Sequence, residues 1–413
     1  MKMSRTKLAR FFLYLGATGF GGPVALANKM HEELVTRQKV LDSNDFRQAM
    51  TLAHLLPGPL AIQVAMYIGW KLGGFVGGTI AGICFVIPSF IITVGIAWVY
   101  VKWSGISAIQ SAFGGVSAAV ASLVLWNSYR LSRGVLARDR LLWVIALSAA
   151  ALTVVKAQEP AIMFLVAAAV TVLMRNGPLS VGKSMGWLIP LATGATLAAA
   201  WNLDWAGFAG AVDGASVVTK SAQDHASLNY AQTHGNGDLT ELFTFFLKSG
   251  AFIFGSGLVI IPFMREAVLN QYHWLDARQF LDAVAVGFMT PGPALITVAF
   301  IGYIVAGLAG ATVSSIGIFS PSWVFTLGTA PFYEKIVRYR AAQNAVDGIS
   351  AAAVGAIAGA GLLIAKDALG NPLQNPLGSA ITAITLLLLA RAPKIPDVML
   401  LAGAAAFGVL AQR

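Results

Sequence analysis

Residues 73 to 101 run for 29 positions without a single Asp, Glu, Lys or Arg. As a helix that stretch covers about 43 Å, more than the roughly 30 Å of a bilayer core. Apolar stretches near 20 residues recur from one end of the chain to the other. Only 11% of the 413 residues are charged, against about 25% in a soluble domain, too few to cover a water-facing surface. A lipid-facing backbone must satisfy its polar groups internally, so the expected class is an all-α polytopic membrane protein.

Thirteen candidate spans lie near residues 8–27, 46–70, 74–101, 106–128, 141–156, 160–174, 184–203, 241–262, 280–304, 307–331, 344–365, 374–390 and 398–412. The one long polar stretch, rich in Gly, Ser, Asn and Asp, divides the chain into residues 1–203, a linker at 204–240, and residues 241–413. The net charge of +10 is carried by bases set singly between apolar segments. That pattern sets orientation and does not bind nucleic acid; with the N-terminus inside, most bases fall on inner segments and the C-terminus lies outside. The segment Asn28 to Arg47 opposes this assignment, since it would lie outside with four bases and four acids. The topology from there changes if the first segment does not cross.

An internal repeat is the most specific feature. FFLYLGATGFGGP at 11–23 matches FFLKSGAFIFGSG at 245–257, an offset of 234, and Pro57-Gly58-Pro59 matches Pro291-Gly292-Pro293 at the same offset. After one gap, Gly69 pairs with Gly302, Pro88 with Pro321, and Gly115–Ala119 with Gly348–Ala352. Seven spans separate equivalent starting points. An odd number predicts two inverted-topology repeats with discontinuous helices, about 13 transmembrane segments in all, and a substrate site at mid-membrane between the halves.

The Gly-Pro breaks carry the predicted chemistry. Pro59 lacks an N–H and Gly58 is a poor helix former, so the helix is expected to stop near mid-membrane and restart with Gly58 as cap. The amides of Leu60, Ala61 and Ile62, and of Ala294, Leu295 and Ile296 in the second half, would then face the break. Helix N-termini carry partial positive charge and suit an anion. The predicted binding set is Phe20, Gly21, Gly22, Pro23, Pro57, Gly58, Pro59 and Gln63, with Phe254, Gly255, Ser256, Gly257, Pro291, Gly292, Pro293 and Thr297 from the second half. Gln63 and Thr297, one turn inward from the breaks, are expected to donate hydrogen bonds to an oxyanion without a buried arginine. His54 is a candidate proton carrier, weighed against a polar residue at the cavity edge.

Other signals carry less. The stripes Gly69, Gly73, Gly77 and Gly74, Gly78, Gly82 read as close helix packing. Lys248 and Asp282 read as snorkelling residues near span ends. Gly177 to Ser184 fits the phosphate-loop pattern but joins two apolar spans, without the strand and nucleotide domain that the chemistry needs. Five histidines and the lone Cys84 show no metal-ligand spacing, and no disulfide is expected. No catalytic constellation stands out, so no enzyme, metal or cofactor is expected.

Taken together, these motifs resemble the chromate ion transporter family in its long, two-domain form. Phe20-Gly21-Gly22-Pro23 and Leu56-Pro57-Gly58-Pro59 match its first half; Trp274-Leu275, Phe280-Leu281-Asp282-Ala283, Thr290-Pro291-Gly292-Pro293, Phe300-Ile301-Gly302-Tyr303 and Asp347-Gly348 match its second. The resemblance covers about 8–130 and 241–365. It departs at Ser256-Gly257, where a Gly-Gly run is usual, and at Val40, where a tryptophan often stands. It implies chromate efflux across the inner (plasma) membrane driven by the proton-motive force, conferring resistance. Expelling a dianion from a negative interior gains roughly 4.6 kcal/mol per 100 mV, which also favours export. Sulfate or molybdate carriage is the alternative. The expected partners are a chromate- or sulfate-like oxyanion and the lipid bilayer, with homodimerisation compatible.

Overall fold

The computed structural model describes residues 3–103, 107–137, 139–155, 160–176, 238–255, 257–333, 340–369, 376–392 and 395–410. The expected span at 184–203, the linker up to 237, the 177–184 pattern and Ser256 lie outside them. Among the described residues the chain forms fourteen α-helices and one pair of two-residue strands. The first half holds α1 (Arg5–Thr18), α2 (Gly22–His31), α3 (Ser43–Leu55), β1 (Gly58–Pro59), α4 (Leu60–Trp103), α5 (Ser107–Val135), α6 (Arg140–Val155) and α7 (Pro160–Asn176). The second holds α8 (Leu239–Ala251), β2 (Phe254–Gly255), α9 (Ile260–Glu266), α10 (Ala277–Met289), α11 (Thr297–Thr329), α12 (Arg340–Leu369), α13 (Pro376–Arg391) and α14 (Asp397–Leu410). Exposed apolar side chains such as Ile91, Leu147, Leu165 and Leu308 ring the bundle, as a lipid-facing surface requires. The fold is that of a polytopic all-α membrane protein.

Four expected crossings are instead helical hairpins. The 14 residues of α1 span about 21 Å, too short for the bilayer core. The chain reverses at Gly19–Gly22, where Gly21 and Gly22 take φ of 106° and 78°, backbone that a Cβ opposes. The π-helical turn Glu32–Arg37 that extends α2 comes back beside α1, so Lys7 and Arg10 share a cleft with Lys29, Glu33 and Arg37. Likewise α3 and the start of α4 run antiparallel about the Pro57–Pro59 tip. The Tyr67 hydroxyl donates to Gln48 at 3.1 Å, and Lys71 meets Asp45 at 2.9 Å. In the second half Tyr272 and Trp274 return to Phe245, with rings 5.7 and 5.6 Å apart, and Gly287 lies against Ala294 and Thr297 across the next tip. Residues 8–27, 46–70, 241–262 and 280–304 are therefore not single crossings.

Helix α4 is itself folded at Gly73-Gly74, as the boundary between spans 46–70 and 74–101 required. A Cβ on Gly69 would stand 2.5 Å from the Gly77 carbonyl oxygen, though eight residues of straight helix span about 12 Å. Gly78 and Gly82 close the same hairpin against Met66, so the glycine stripes are its packing seam. Gly302 and Gly310 repeat the contact about the bend at Ala306-Gly307.

The directions of the long segments follow from their contacts. Segment 75–103 runs parallel to α1, with Gly16 against the Phe85 carbonyl and Phe12 ringed on Phe85. Gly78 and Thr79 meet Leu327 and Trp323, whereas Val86, Phe90 and Val94 pack on the cluster that includes Ala311. Segments 75–103 and 308–329 are therefore antiparallel. Tyr100 stacks edge-on to Phe113 where α4 hands over to α5, which runs back. Arg175 bonds Asp139, Asn344 and Asp347, gathering the ends of α5, α6, α7 and α12. One end of the bundle thus carries Arg5, Lys71, Arg130, Arg133, Arg140, Arg175 and Arg340, while Lys102, Arg278 and Lys366 lie toward the other. The outer helices are exchanged: α5 packs on α13 and α14 of the second half, and α12 on α6 and α7 of the first.

With the first hairpin re-entrant, cysteines placed at Lys39 and Arg133 in a Cys84→Ser background are expected to react with an impermeant thiol reagent from one side of the membrane. A cysteine at Lys102 is expected to react only from the opposite side. Labelling of Lys39→Cys together with Lys102→Cys would restore a crossing first segment.

Candidate functional site

The hairpin tips of the two halves meet and bond crosswise through their main chains. The Gly58 amide donates to the Ile253 carbonyl at 2.5 Å, and the Gly292 amide donates to the Gly19 carbonyl at 2.7 Å. Donors and acceptors are equivalent pairs, since 58 and 292, like 19 and 253, differ by 234. Gly58 and Pro59 also pair in parallel with Phe254 and Gly255. Gly58 is held at φ 136° between Gln63 and Ser322, and Gly292 at φ 92° against Ser89. Ser89 donates to the Pro291 carbonyl at 2.6 Å. Proline and glycine leave main-chain groups unpaired in mid-helix, and the opposite half supplies their partners.

Beside this junction lies a cavity of about 250 Å³. Of the predicted binding residues, Phe20, Gly21, Gly22, Pro23, Pro59, Gly257, Gly292 and Pro293 line it. Ala61, Ala294 and Leu295 line it too, and Leu60, Ile62 and Ile296 do not. Five helical starts converge here: α2, α4, the 3-10 turn Gly257–Val259, the 3-10 turn Ala294–Ile296 and α14. A helix start leaves its first amides without partners in its own helix and carries the positive end of the dipole.

Several expectations change. Gln63 is fully buried and donates to the Pro57 carbonyl at 2.8 Å; Thr297 donates to the Ala294 carbonyl at 3.0 Å. Neither lines the cavity, because a polar side chain beside a break first satisfies the orphaned carbonyl of that break. Pro57, Gly58 and Pro291 build the junction behind the cavity, as do Phe254 and Gly255 through their main chains. Gly58 and Pro59 form the strand pair, so the helix begins at Leu60. His54 is exposed, with Nδ1 2.7 Å from the Met50 carbonyl of its own helix, and does not line the cavity. Asp282 does not snorkel: it is 1% exposed and accepts bonds from Tyr100 at 2.8 Å and Ser117 at 3.1 Å, joining α10 to α4 and α5.

Four polar residues outside the predicted binding set line the cavity: Asn127 and Arg130 on α5, Thr290 just after α10, and Asp397 at the start of α14. Arg130 reads in sequence as an orientation determinant after a span, and Asp397 as a residue just outside one. Helix α14 runs antiparallel to α5, with Ala404 at Gly115 and Gly408 at Ser111, so that Asp397 starts α14 opposite the stretch of α5 that leads to Asn127 and Arg130, and all three line the cavity.

The chromate transporter family model matches residues 6–173 and 240–409. The chain belongs to this family. It is 38% identical to the chromate transport protein of Cupriavidus metallidurans, over 98% of this chain and 92% of that one. It is 35% identical to a probable chromate transport protein of Synechococcus elongatus, over 98% and 95%. A chromate transport protein of Pseudomonas aeruginosa is 30% identical over 86% and 80%. No solved structure matches the chain.

Because the Gly292 conformation and its contact with Ser89 leave no room for a side chain, Gly292→Leu is expected to cut transport at least about a hundredfold or to prevent stable folding. Ser89→Ala removes one neutral hydrogen bond, worth about 0.5–1.5 kcal/mol, and is expected to cost tenfold at most. Transport normalised to membrane-inserted protein, with the thermal midpoint of each purified variant, checks both.

Proposed function

We propose that this protein exports chromate from the cytoplasm across the inner (plasma) membrane, driven by the membrane potential or the proton-motive force, and so confers chromate resistance. One observation carries the reading: five helix starts and Arg130 surround a single cavity in a chain of the chromate transporter family. A tetrahedral dianion suits that wall, since main-chain amides and a guanidinium donate to its oxygens and balance its charge. The curated relatives are named for chromate, which favours it over sulfate or molybdate.

Orientation follows from the bases. The end bearing Arg5, Lys71, Arg130 and Arg175 is the cytoplasmic end by the positive-inside rule. The charged Asn28–Arg47 segment returns to that end and no longer opposes the rule. The cavity wall includes Arg130, which is exposed and lies in the last turns of α5. In this reading the site opens toward the cytoplasm, as an exporter awaiting its substrate requires. The two repeats are inverted about the mid-membrane junction. What supports this is the antiparallel course of segments 75–103 and 308–329 and the crosswise tip bonds at equivalent positions. Alternating access then consists of one half rocking against the other around the tips.

The binding set in this reading is Phe20 to Pro23, Pro59, Gly257, Gly292, Pro293 and Arg130. Gln63, Thr297 and the other tip residues hold the junction. Arg130→Ala removes charged hydrogen bonds worth about 1.5–3 kcal/mol, so chromate binding to the purified protein is expected to weaken about ten- to hundredfold. Lys71→Ala, at the same end but off the cavity, is expected to leave it unchanged. In inverted membrane vesicles an imposed inside-positive potential is expected to drive chromate uptake; its absence with intact protein overturns export.

A further inference from the structure

Arg130 comes from the first half and Asp397 from the second, yet they line the same cavity. Neither forms a close ion pair or a side-chain hydrogen bond with another described residue, though the two opposite charges attract one another through space. The helices packed on α14 are α5, α10 and α13. Their charged residues are Arg130 and Arg133, Arg278 and Asp282, and Arg391; of these only Arg130 shares the cavity wall with Asp397. A cavity surrounded by five helix starts and a guanidinium would hold a dianion strongly, and a transporter must also release its cargo.

We propose that Asp397 is the release residue of the site: its carboxylate faces the bound dianion across the cavity and opposes Arg130, so that the anion is held weakly enough to leave. The proposal rests on the cavity being the substrate site. Asp397 is the first residue of α14 in the second half, so a rocking motion that changes the separation of Asp397 and Arg130 changes the grip on the anion. The repeat does not impose this pair, since the positions equivalent to Asn127 and Arg130 are Ala360 and Leu363.

The repulsion is between a dianion and one carboxylate at short range, partly screened by water. Asp397→Asn is therefore expected to bind chromate at least about tenfold more tightly. In vesicles the concentration for half-maximal transport is expected to fall and the maximal rate to fall with it, because release becomes slow. Asp397→Glu, which keeps the charge, is expected to restore both values toward wild type. If Asp397 only favours the positive end of α14, Asp397→Asn lowers the thermal midpoint and leaves affinity unchanged. Unchanged or weaker chromate binding by intact Asp397→Asn protein overturns the proposal. Arg130→Ala separates the two readings: normal affinity there removes the cavity as the site, whereas weakened affinity beside an unchanged Asp397→Asn variant removes only the release role.

Discussion

A main-chain amide or carbonyl at mid-membrane has no water to turn to, and the protein answers this by bonding each hairpin tip to the tip of the other half. Gly58 to Ile253 and Gly292 to Gly19 are two hydrogen bonds, but the four tips they join carry the architecture. Each tip ends a helix that is too short to cross. Without the opposite half, the orphaned groups of each would face hydrocarbon, at a cost of several kcal/mol per group. Neither half is therefore expected to be stable as a separate unit, and the exchanged packing of α5 and α12 points the same way.

The same constraint shapes the cavity. A broken helix creates a positive N-terminus where a continuous one would bury all but its ends, and the tips gather several of these at one depth. The side chains nearest the breaks, Gln63 and Thr297, are absorbed in completing the junction. The groups left to face the cavity are main-chain amides and the few polar side chains that the outer helices bring in. Arg130 and Asn127 stand on a helix that packs against the opposite half, so the cavity wall is shared between the repeats.

The repeat is close at the tips and loose at the walls. Equivalent glycines bend the two hairpins, close their seams and take positive φ at both Pro-Gly-Pro tips. Toward the cavity the halves diverge. Ser89 donates to Pro291, whereas its counterpart Ser322 faces Gly58 without a partner among the described residues, because Gln63 already occupies the Pro57 carbonyl. The structure is symmetric in its scaffold and asymmetric in its polar groups, so the two halves are not chemically interchangeable.

Composition and hydropathy determined the class of this protein, because a chain with so few charges has no other solvent than lipid. The 234-residue offset determined that two related halves exist, and Pro57-Gly58-Pro59 with Pro291-Gly292-Pro293 marked where their helices stop. Those features are local: they depend on missing N–H groups, missing Cβ atoms and runs of apolar side chains, which are written residue by residue. Whether an apolar segment crosses or turns back was not written that way. Residues 8–27 and 46–70 are apolar enough for either, and only contacts such as Asp45 with Lys71 decide it. The same holds for the cavity. Arg130 and Asp397 are 267 positions apart, and each reads alone as a charge beside a span. Tertiary packing of α14 against α5 put them on one wall, since nothing in a helix's own sequence states which distant helix will lie beside it.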